Sequence, residues 1–174
     1  MIEEIFLKSV LKEFQDYKNL GDKTFVQLEE KDFHFQPNNE CNSIATIIQH
    51  MHGNMLSRWT NFLTEDGEKE WRKRDDEFEI HSFDKKQLIQ LWDEGWQLVL
   101  SAIGSLHEDD LTKIIYIRNK PHSVIAAINR QLAHYASHVG QIILLGKIIK
   151  STDWQTLSIP RNQSAVFNDK MMKK

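Results

Sequence analysis

Cysteine, glycine and proline are scarce in this chain of 174 residues, which holds one cysteine, seven glycines and three prolines. A single cysteine, Cys41, excludes an internal disulfide. Few glycines and prolines beside 27% charged residues are typical of helical proteins, and they argue against a turn-rich β-sandwich or a disordered chain. The composition therefore predicts an all-α protein.

An excess of positive charge is also absent, because 22 Lys and Arg stand against 25 Asp and Glu. Without a positive field, neither nucleic acid nor an acidic membrane surface is an expected partner. The most apolar stretch, residues 142–149, is far too short to cross a bilayer. The N-terminus lacks the basic start and apolar run of a signal peptide, so we expect a cytoplasmic protein.

The apolar content is high enough for one well-filled core. Hydrophobic residues make up 40% of the chain and aromatic residues 10%. A chain of this length is close to the usual size of one domain. We therefore predict a single domain over residues 1–174.

Apolar residues recur at helical intervals in four segments. The predicted helices cover residues 2–17, 43–62, about 83 or 84 to 106, and 123–150. Gly21 is a plausible stop for the first helix, and Asn42 or Ser43 and later Ser123 are candidate N-terminal caps. Trp92 and Trp96 lie four residues apart and are expected in the core.

The remaining segments predict connections and a tail. Residues 24–30 suggest a short helical piece, and the charge-dense residues 63–83 suggest a solvated surface crossover rather than a binding tract. Ile115 and Ile117, followed by residues 119–121, predict a short hairpin. The tail, residues 151–174, is expected to be extended and packed on the surface.

His134 and His138 lie four residues apart on the last predicted helix, which brings both imidazoles to one face at a spacing suited to one metal ion. Spacing alone is weak evidence in a chain with eight histidines. The three residues between them include no glutamate, so zincin-type proteolysis is not expected. A lone cysteine argues against a closed structural zinc site, and three histidines with open positions fit a functional site better.

Two long segments are recognisable: NSIATIIQHMHGNMLSRWTNFLTEDGEKEW and, later, PHSVIAAINRQLAHYASHVGQIILLGKII. Together they resemble the DinB superfamily, also called the DinB/YfiT-like metalloenzymes, and are similar to a subgroup known only as a domain of unknown function. The pattern H-x-x-x-H-x-G-Q is the most specific local motif. The tail WQTLSIPRNQSAVFN resembles the same subgroup, so the likeness spans nearly the whole chain.

The resemblance implies an up-down four-helix bundle, commonly a homodimer, that binds one divalent metal through His50, His134 and His138. Similar bundles include bacillithiol S-transferases and mycothiol-dependent isomerases, in which nickel or zinc activates a low-molecular-weight thiol. The expected activity is therefore metal-dependent transfer of such a thiol to a small electrophile. Two alternatives remain: a non-catalytic metal-binding or stress-associated interaction protein, and a metal-free bundle in which the histidines are structural.

The second helix offers two histidines, His50 and His52, which point roughly 200° apart. A helical wheel mildly favours His52, because it lies closer to the apolar stripe. The resemblance aligns His50, and His50 shares a flank with His134 and His138. We therefore predict that His50 binds the metal.

Three polar residues are candidates to support the ligands or to orient a substrate. Asn54 and Arg58 follow His50 at successive intervals of four residues, and Gln141 follows His138 by three. For Asn54 and Arg58 an ordinary surface position is the main alternative, and for Gln141 a helix contact. Cys41 is left outside the site, because lone intracellular cysteines are usually inert.

Overall fold

The computed structural model describes residues 1–79 and 81–173, which are mostly helical. In chain order the elements are α1 (Ile2–Phe25), α2 (Ile44–Trp59), α3 (Lys85–Gly104), β1 (Ile114–Ile117), β2 (Lys120–Ser123), α4 (Val124–Lys150) and α5 (Ser164–Met172). Short 3₁₀ turns occur at Glu30–His34, Asp75–Phe78, Glu108–Asp110 and Ser151–Asp153. The helical class predicted from composition is confirmed, with one two-stranded sheet added.

The core lies between the four long helices. Helix α1 packs on α3 and α4, and α2 packs on the same two helices. Phe14 of α1 meets Trp96 of α3 and Tyr135 of α4 edge-on, with ring centroids 6.3 and 6.0 Å apart. Trp92 and Trp96 are almost fully buried, which confirms that this pair belongs to the core.

Side-chain caps fix where three helices begin. The Ser43 hydroxyl accepts a hydrogen bond from the backbone N–H of Thr46, and the Asp84 carboxylate accepts one from Gln87. Ser123 caps α4 in the same way. Because these signals are local, the predicted starts are accurate to about one residue. The predicted end of α2 at residue 62 is wrong, since α2 ends at Trp59 and Asn61 takes a positive φ of 50°.

Helix α1 is longer than predicted and runs through Gly21 to Phe25. A Cβ atom on Gly21 would lie 2.3 Å from Cζ2 of Trp92. Gly21 is therefore explained by the close approach of an indole ring, not by a helix stop. The separate helical piece predicted at residues 24–30 is also wrong, because residues 24 and 25 end α1 and the 3₁₀ turn begins at Glu30.

The predicted hairpin exists, with a different turn. Ile117 pairs with Lys120, so the two-residue turn is Arg118–Asn119, and both residues have positive φ. Paired left-handed residues suit the right-handed twist of a hairpin, and Asn tolerates this conformation. The carboxylate of Asp66 accepts hydrogen bonds from the backbone N–H groups of Arg118 and Asn119, each at 2.8 Å. The hairpin is thereby tied to the crossover segment.

Asp66 is expected to make stability depend on pH. Burial raises its pKa, but backbone hydrogen bonds from Glu68, Asn119 and Arg118 outweigh burial and hold the pKa below its ordinary value. A depressed folded-state pKa contributes stability above the unfolded pKa of about 3.9, and that stability is lost as pH falls through the folded value.

Asp66→Asn should therefore lower stability by roughly 1 kcal/mol at pH 7, because the amide NH₂ replaces an acceptor. The loss should shrink as the pH is lowered below about 4. Thermal unfolding of both proteins across this pH range measures the difference. A loss that does not change with pH would contradict the assignment.

The C-terminal tail differs from the extended segment predicted for it. It contains the 3₁₀ turn Ser151–Asp153 and helix α5, none of whose residues is buried. Residue Gln155 is anchored through its backbone to the side chain of Gln27 on the segment after α1. Among the helices of residues 1–79 and 81–173, none combines the length and the apolar character needed to cross a bilayer.

Candidate metal centre

Three histidines from two helices converge at one point on the flank of the α2–α4 interface. His50 comes from the middle of α2, and His134 and His138 come from successive turns of α4. Nε2 of His134 lies 3.4 Å from Nε2 of His50 and 3.0 Å from Nε2 of His138. One ring nitrogen of each histidine lies within 4.8 Å of the others, a spacing at which one metal ion can be bound.

Hydrogen bonds on the far side of two rings orient them. Nδ1 of His50 donates to Oε2 of Glu77 at 2.9 Å, and Nδ1 of His138 donates to Oε1 of Gln141 at 3.2 Å. Because both acceptors are oxygens without a proton to give, the ring protons lie on Nδ1 and the lone pairs on Nε2. The lone pairs therefore face the common point, and an ionised partner increases the basicity of the ring that donates to it.

Glu77 is held by a buried arginine. Nε of Arg72 donates to Oε1 of Glu77 at 2.7 Å, and an Nη2–H donates to Oε2 at 2.9 Å. The side chains are only 2% and 9% exposed, respectively. This two-point contact fixes the plane of the carboxylate, so that Oε2 accepts from Arg72 and His50 at once.

The pKa values of His134 and His138 favour neutral imidazoles, and the pKa of Glu77 favours an ionised carboxylate. Burial, followed by the nearby His138 and His50, lowers the pKa of His134 to about 3. Burial also lowers the pKa of His138. Burial raises the pKa of Glu77, but hydrogen bonds from His50 and Arg72 outweigh it and hold the pKa below its ordinary value. Neutral histidine is the form that binds a metal.

The donor set fits a divalent metal. Three converging imidazole nitrogens suit zinc, nickel or copper better than magnesium or calcium, which prefer oxygen. Three protein ligands leave coordination positions open, as in catalytic rather than structural zinc sites. His50, His134 and His138 are the residues that would hold the ion.

The crossover, residues 63–83, closes one side of the candidate metal centre. The ring of Phe78 stacks obliquely on the ring of His50, with centroids 4.9 Å apart. Phe78 belongs to the 3₁₀ turn Asp75–Phe78, which contacts α2. The crossover was predicted to be a solvated surface segment, and this is wrong for Arg72 and Glu77. Its mixed charges gave no sign that two of them form a buried pair.

Gly53 makes room for the carboxylate. It follows His50 by three residues on α2, and a Cβ atom there would lie 2.2 Å from Oε1 of Glu77. No side chain larger than hydrogen fits unless Glu77 moves. Gly53 therefore belongs to the support of His50, a role that spacing alone did not indicate.

Gly53→Ala is expected to weaken metal binding about tenfold, because it displaces the carboxylate that orients His50. Gly140→Ala is the matched control, since it also changes a helical glycine near a ligand but its Cβ meets nothing within 4 Å. Gly140→Ala should stabilise the protein by about 0.5–1 kcal/mol through helix propensity. Metal titration and thermal unfolding measure both variants, and equal metal affinity in the two would contradict this role of Gly53.

Of the three predicted supporting residues, Gln141 contacts a candidate ligand, His138, directly. Asn54 instead joins a buried network in which its side-chain oxygen accepts from Gln131 at 2.7 Å and from Tyr135 at 3.1 Å. The network connects α2 to α4 next to His134, because Tyr135 directly follows that histidine in the chain. Asn54 thus supports the helix pair, without a hydrogen bond to a ligand.

Arg58 and His52 lie away from the cluster. The Arg58 guanidinium donates to the backbone carbonyl of Gly67 and to Glu68, and so anchors the start of the crossover. Nε2 of His52 lies 3.2 Å from Oε2 of Glu94 on α3. The structure therefore brings His50, rather than His52, to His134 and His138.

Comparison with known protein families gives one clear result. Residues 2–163 match the family model described as "Protein of unknown function (DUF1572)". A search of curated proteins gave no significant match. Since the family model covers nearly the whole chain, the protein belongs to the DUF1572 family.

Proposed function

We propose that this protein is a divalent-metal-dependent enzyme of the DinB type that transfers a low-molecular-weight thiol, such as bacillithiol, to a small electrophile. The observation that carries the proposal is the convergence of one ring nitrogen each from His50, His134 and His138, within 4.8 Å of one another. Nickel or zinc is the proposed ion. Membership of the DinB superfamily is proposed from the H-x-x-x-H-x-G-Q motif of α4 and the histidine of α2.

The chemistry assigned to the site needs a thiolate at neutral pH. A bound divalent cation would supply Lewis acidity that favours the thiolate of a thiol whose pKa in solution is near 8.5. Glu77 and Gln141 orient two ligand rings, and Phe78 shields His50 from water on one side. Because Glu77 already accepts from two partners, the role we assign it is orientation rather than proton transfer.

A conjugation assay tests the proposal. Protein purified without an affinity tag and loaded with nickel or zinc is mixed with bacillithiol and monochlorobimane, and the fluorescence of the conjugate is followed. In this reaction a carbon–sulfur bond forms and chloride leaves. We expect acceleration that depends on metal and is lost in His134→Ala.

Two other outcomes identify the alternatives. Metal binding without acceleration for several thiols and metals would favour a non-catalytic metal-binding or stress-associated interaction protein. Less than about one tenth of a metal ion per chain after titration with nickel and zinc would favour the metal-free bundle. Each outcome would contradict the proposed thiol-transfer activity.

We also propose a four-helix bundle and a homodimer. The contacts of α1 and α2 with both α3 and α4 support the bundle. Because α2 and α4 run in opposite directions, the helices do not follow the simple alternating up-down order, in which these two would be parallel. Exposed apolar residues of α5, including Val166, Phe167 and Met171, offer surface for a second copy. A monomeric mass by light scattering at micromolar concentration would contradict the dimer. A cytoplasmic location and the lack of a nucleic-acid or membrane partner stay predictions.

A further inference from the structure

A groove continues the α2–α4 interface beyond the histidines. Its volume is about 370 Å³, and its lining includes Glu40, Cys41, Ile47, Gln141, Leu144 and Ile148. Ile47 precedes His50 by three residues, and Gln141 follows His138 by three. Each lies about one helical turn, or roughly 5 Å, from its histidine. Asn54 follows His50 and accepts a hydrogen bond from Gln131, which precedes His138, so α2 and α4 run in opposite directions here. Both steps therefore lead the same way, and the groove begins beside the candidate metal centre.

We infer that this groove binds the apolar body of a small uncharged substrate, with its reactive end directed toward the three histidines. This inference rests on the proposed function and specifies the class of electrophile. Gln141 joins the two places, because its side-chain oxygen accepts from His138 while the residue lines the groove. A molecule in the groove would therefore lie against the residue that supports a ligand.

The lining determines the substrate class. Ile47 and Leu145 form a buried apolar floor, whereas Leu144 and Ile148 are 58% and 49% exposed at the wall. Among the described lining residues Glu40 is the one ionised side chain, so an anionic substrate would meet repulsion without a compensating cation. The volume lies in the range of small-molecule sites. A neutral compound with an aromatic or branched aliphatic body fits these conditions.

Cys41 provides a reporter that needs no metal. It lines the groove, is partly exposed and is the single thiol of the chain. Alkylation of metal-free protein by monochlorobimane, a neutral bicyclic reagent, is compared with alkylation by iodoacetamide, a small one. In each case the thiolate sulfur bonds to carbon and a halide leaves. Each rate is divided by the rate of the same reagent with the unfolded chain.

In the folded protein, the rate of Cys41 alkylation should saturate as the monochlorobimane concentration rises. The ratio of the monochlorobimane rate to the iodoacetamide rate should be roughly tenfold higher than in the unfolded chain. The double variant Leu144→Gln/Ile148→Gln should abolish saturation and most of the preference. Ile114→Gln is the matched control, because Ile114 is 56% exposed but lies on β1, and it should behave as the wild type. Substituting exposed residues keeps the core intact.

Three results would overturn the proposed substrate groove. The first is an alkylation rate that rises linearly with monochlorobimane and shows no preference over iodoacetamide, and the second is no reaction of the folded protein with monochlorobimane. The third is a double variant that is alkylated in the same way as the wild type. The readout is independent of the thiol-transfer assay. Saturating alkylation of Cys41 without metal-dependent conjugation would support the substrate groove and contradict the proposed enzyme activity. Metal-dependent conjugation without saturating alkylation of Cys41 would support the enzyme activity and contradict the groove.

Discussion

His50→Ala is expected to abolish metal binding as completely as His134→Ala or His138→Ala. Each histidine contributes one of the three ring nitrogens that converge at the site, and two imidazoles seldom hold a divalent ion against solvent. The loss of affinity should exceed the roughly 10–100-fold that follows removal of a supporting partner. Metal content after loading with nickel or zinc and dialysis measures the effect.

His52→Ala is the matched control, because it changes a histidine two residues away on the same helix. His52 pairs with Glu94 on α3, so this variant should retain its metal. Circular dichroism checks that every variant is folded. Retention of metal by His50→Ala together with its loss in His52→Ala would show that the ligand assignment is wrong.

The choice between these two histidines shows what a helical wheel can predict. The wheel favours His52 because that residue lies nearer the apolar stripe, where core residues are expected. His50 instead lies at the flank of the α2–α4 pair, where it meets His134 and His138. Periodicity predicts the core of α2, while the resemblance was needed to select His50.

Spacing along a helix also has a limited range. Each step of four residues adds about 40° of rotation, so Arg58, eight residues after His50, is turned by about 80° from it. That rotation directs its guanidinium to Gly67 and Glu68 rather than to the histidines. Gln141, only three residues from His138, stays within hydrogen-bonding distance. The three-residue interval therefore predicted a contact with the histidine correctly, and the eight-residue interval did not.

Local signals explain the parts of the fold that were predicted well. Ser43, Asp84 and Ser123 cap the helices through hydrogen bonds three residues away, so the sequence contains both partners of each contact. Gly21 shows the opposite case. Its role depends on Trp92, seventy-one positions along the chain, and no pattern near Gly21 distinguishes it from a helix stop.

The support of His50 was beyond prediction for the same reason. Glu77 lies 27 residues from His50, in a segment where acidic and basic side chains alternate without a period. Such composition usually indicates a solvated loop. Burial of Arg72 and Glu77 follows from how the crossover folds onto α2, a tertiary event that composition does not encode.

Glu77→Ala is expected to have the largest combined effect on stability and metal binding. It leaves the Arg72 guanidinium, whose side chain is 2% exposed, as a buried charge without its partner. Breaking a buried pair in this way costs about 3–5 kcal/mol. Nδ1 of His50 also loses its acceptor, so metal affinity should fall roughly 10–100-fold. Chemical denaturation of the metal-free protein and metal titration measure the two losses.

A double variant separates these two contributions. Arg72→Leu/Glu77→Leu removes both charges, and replacement of a buried pair by apolar residues is often neutral or stabilising. We expect its free energy of unfolding to return near the wild-type value while its metal affinity stays low, because the leucine at position 77 cannot accept from Nδ1 of His50. Wild-type metal affinity in the stable double variant would show that Glu77 serves the fold alone. Low affinity would show that the carboxylate positions the ligand, since stability has then been restored without it.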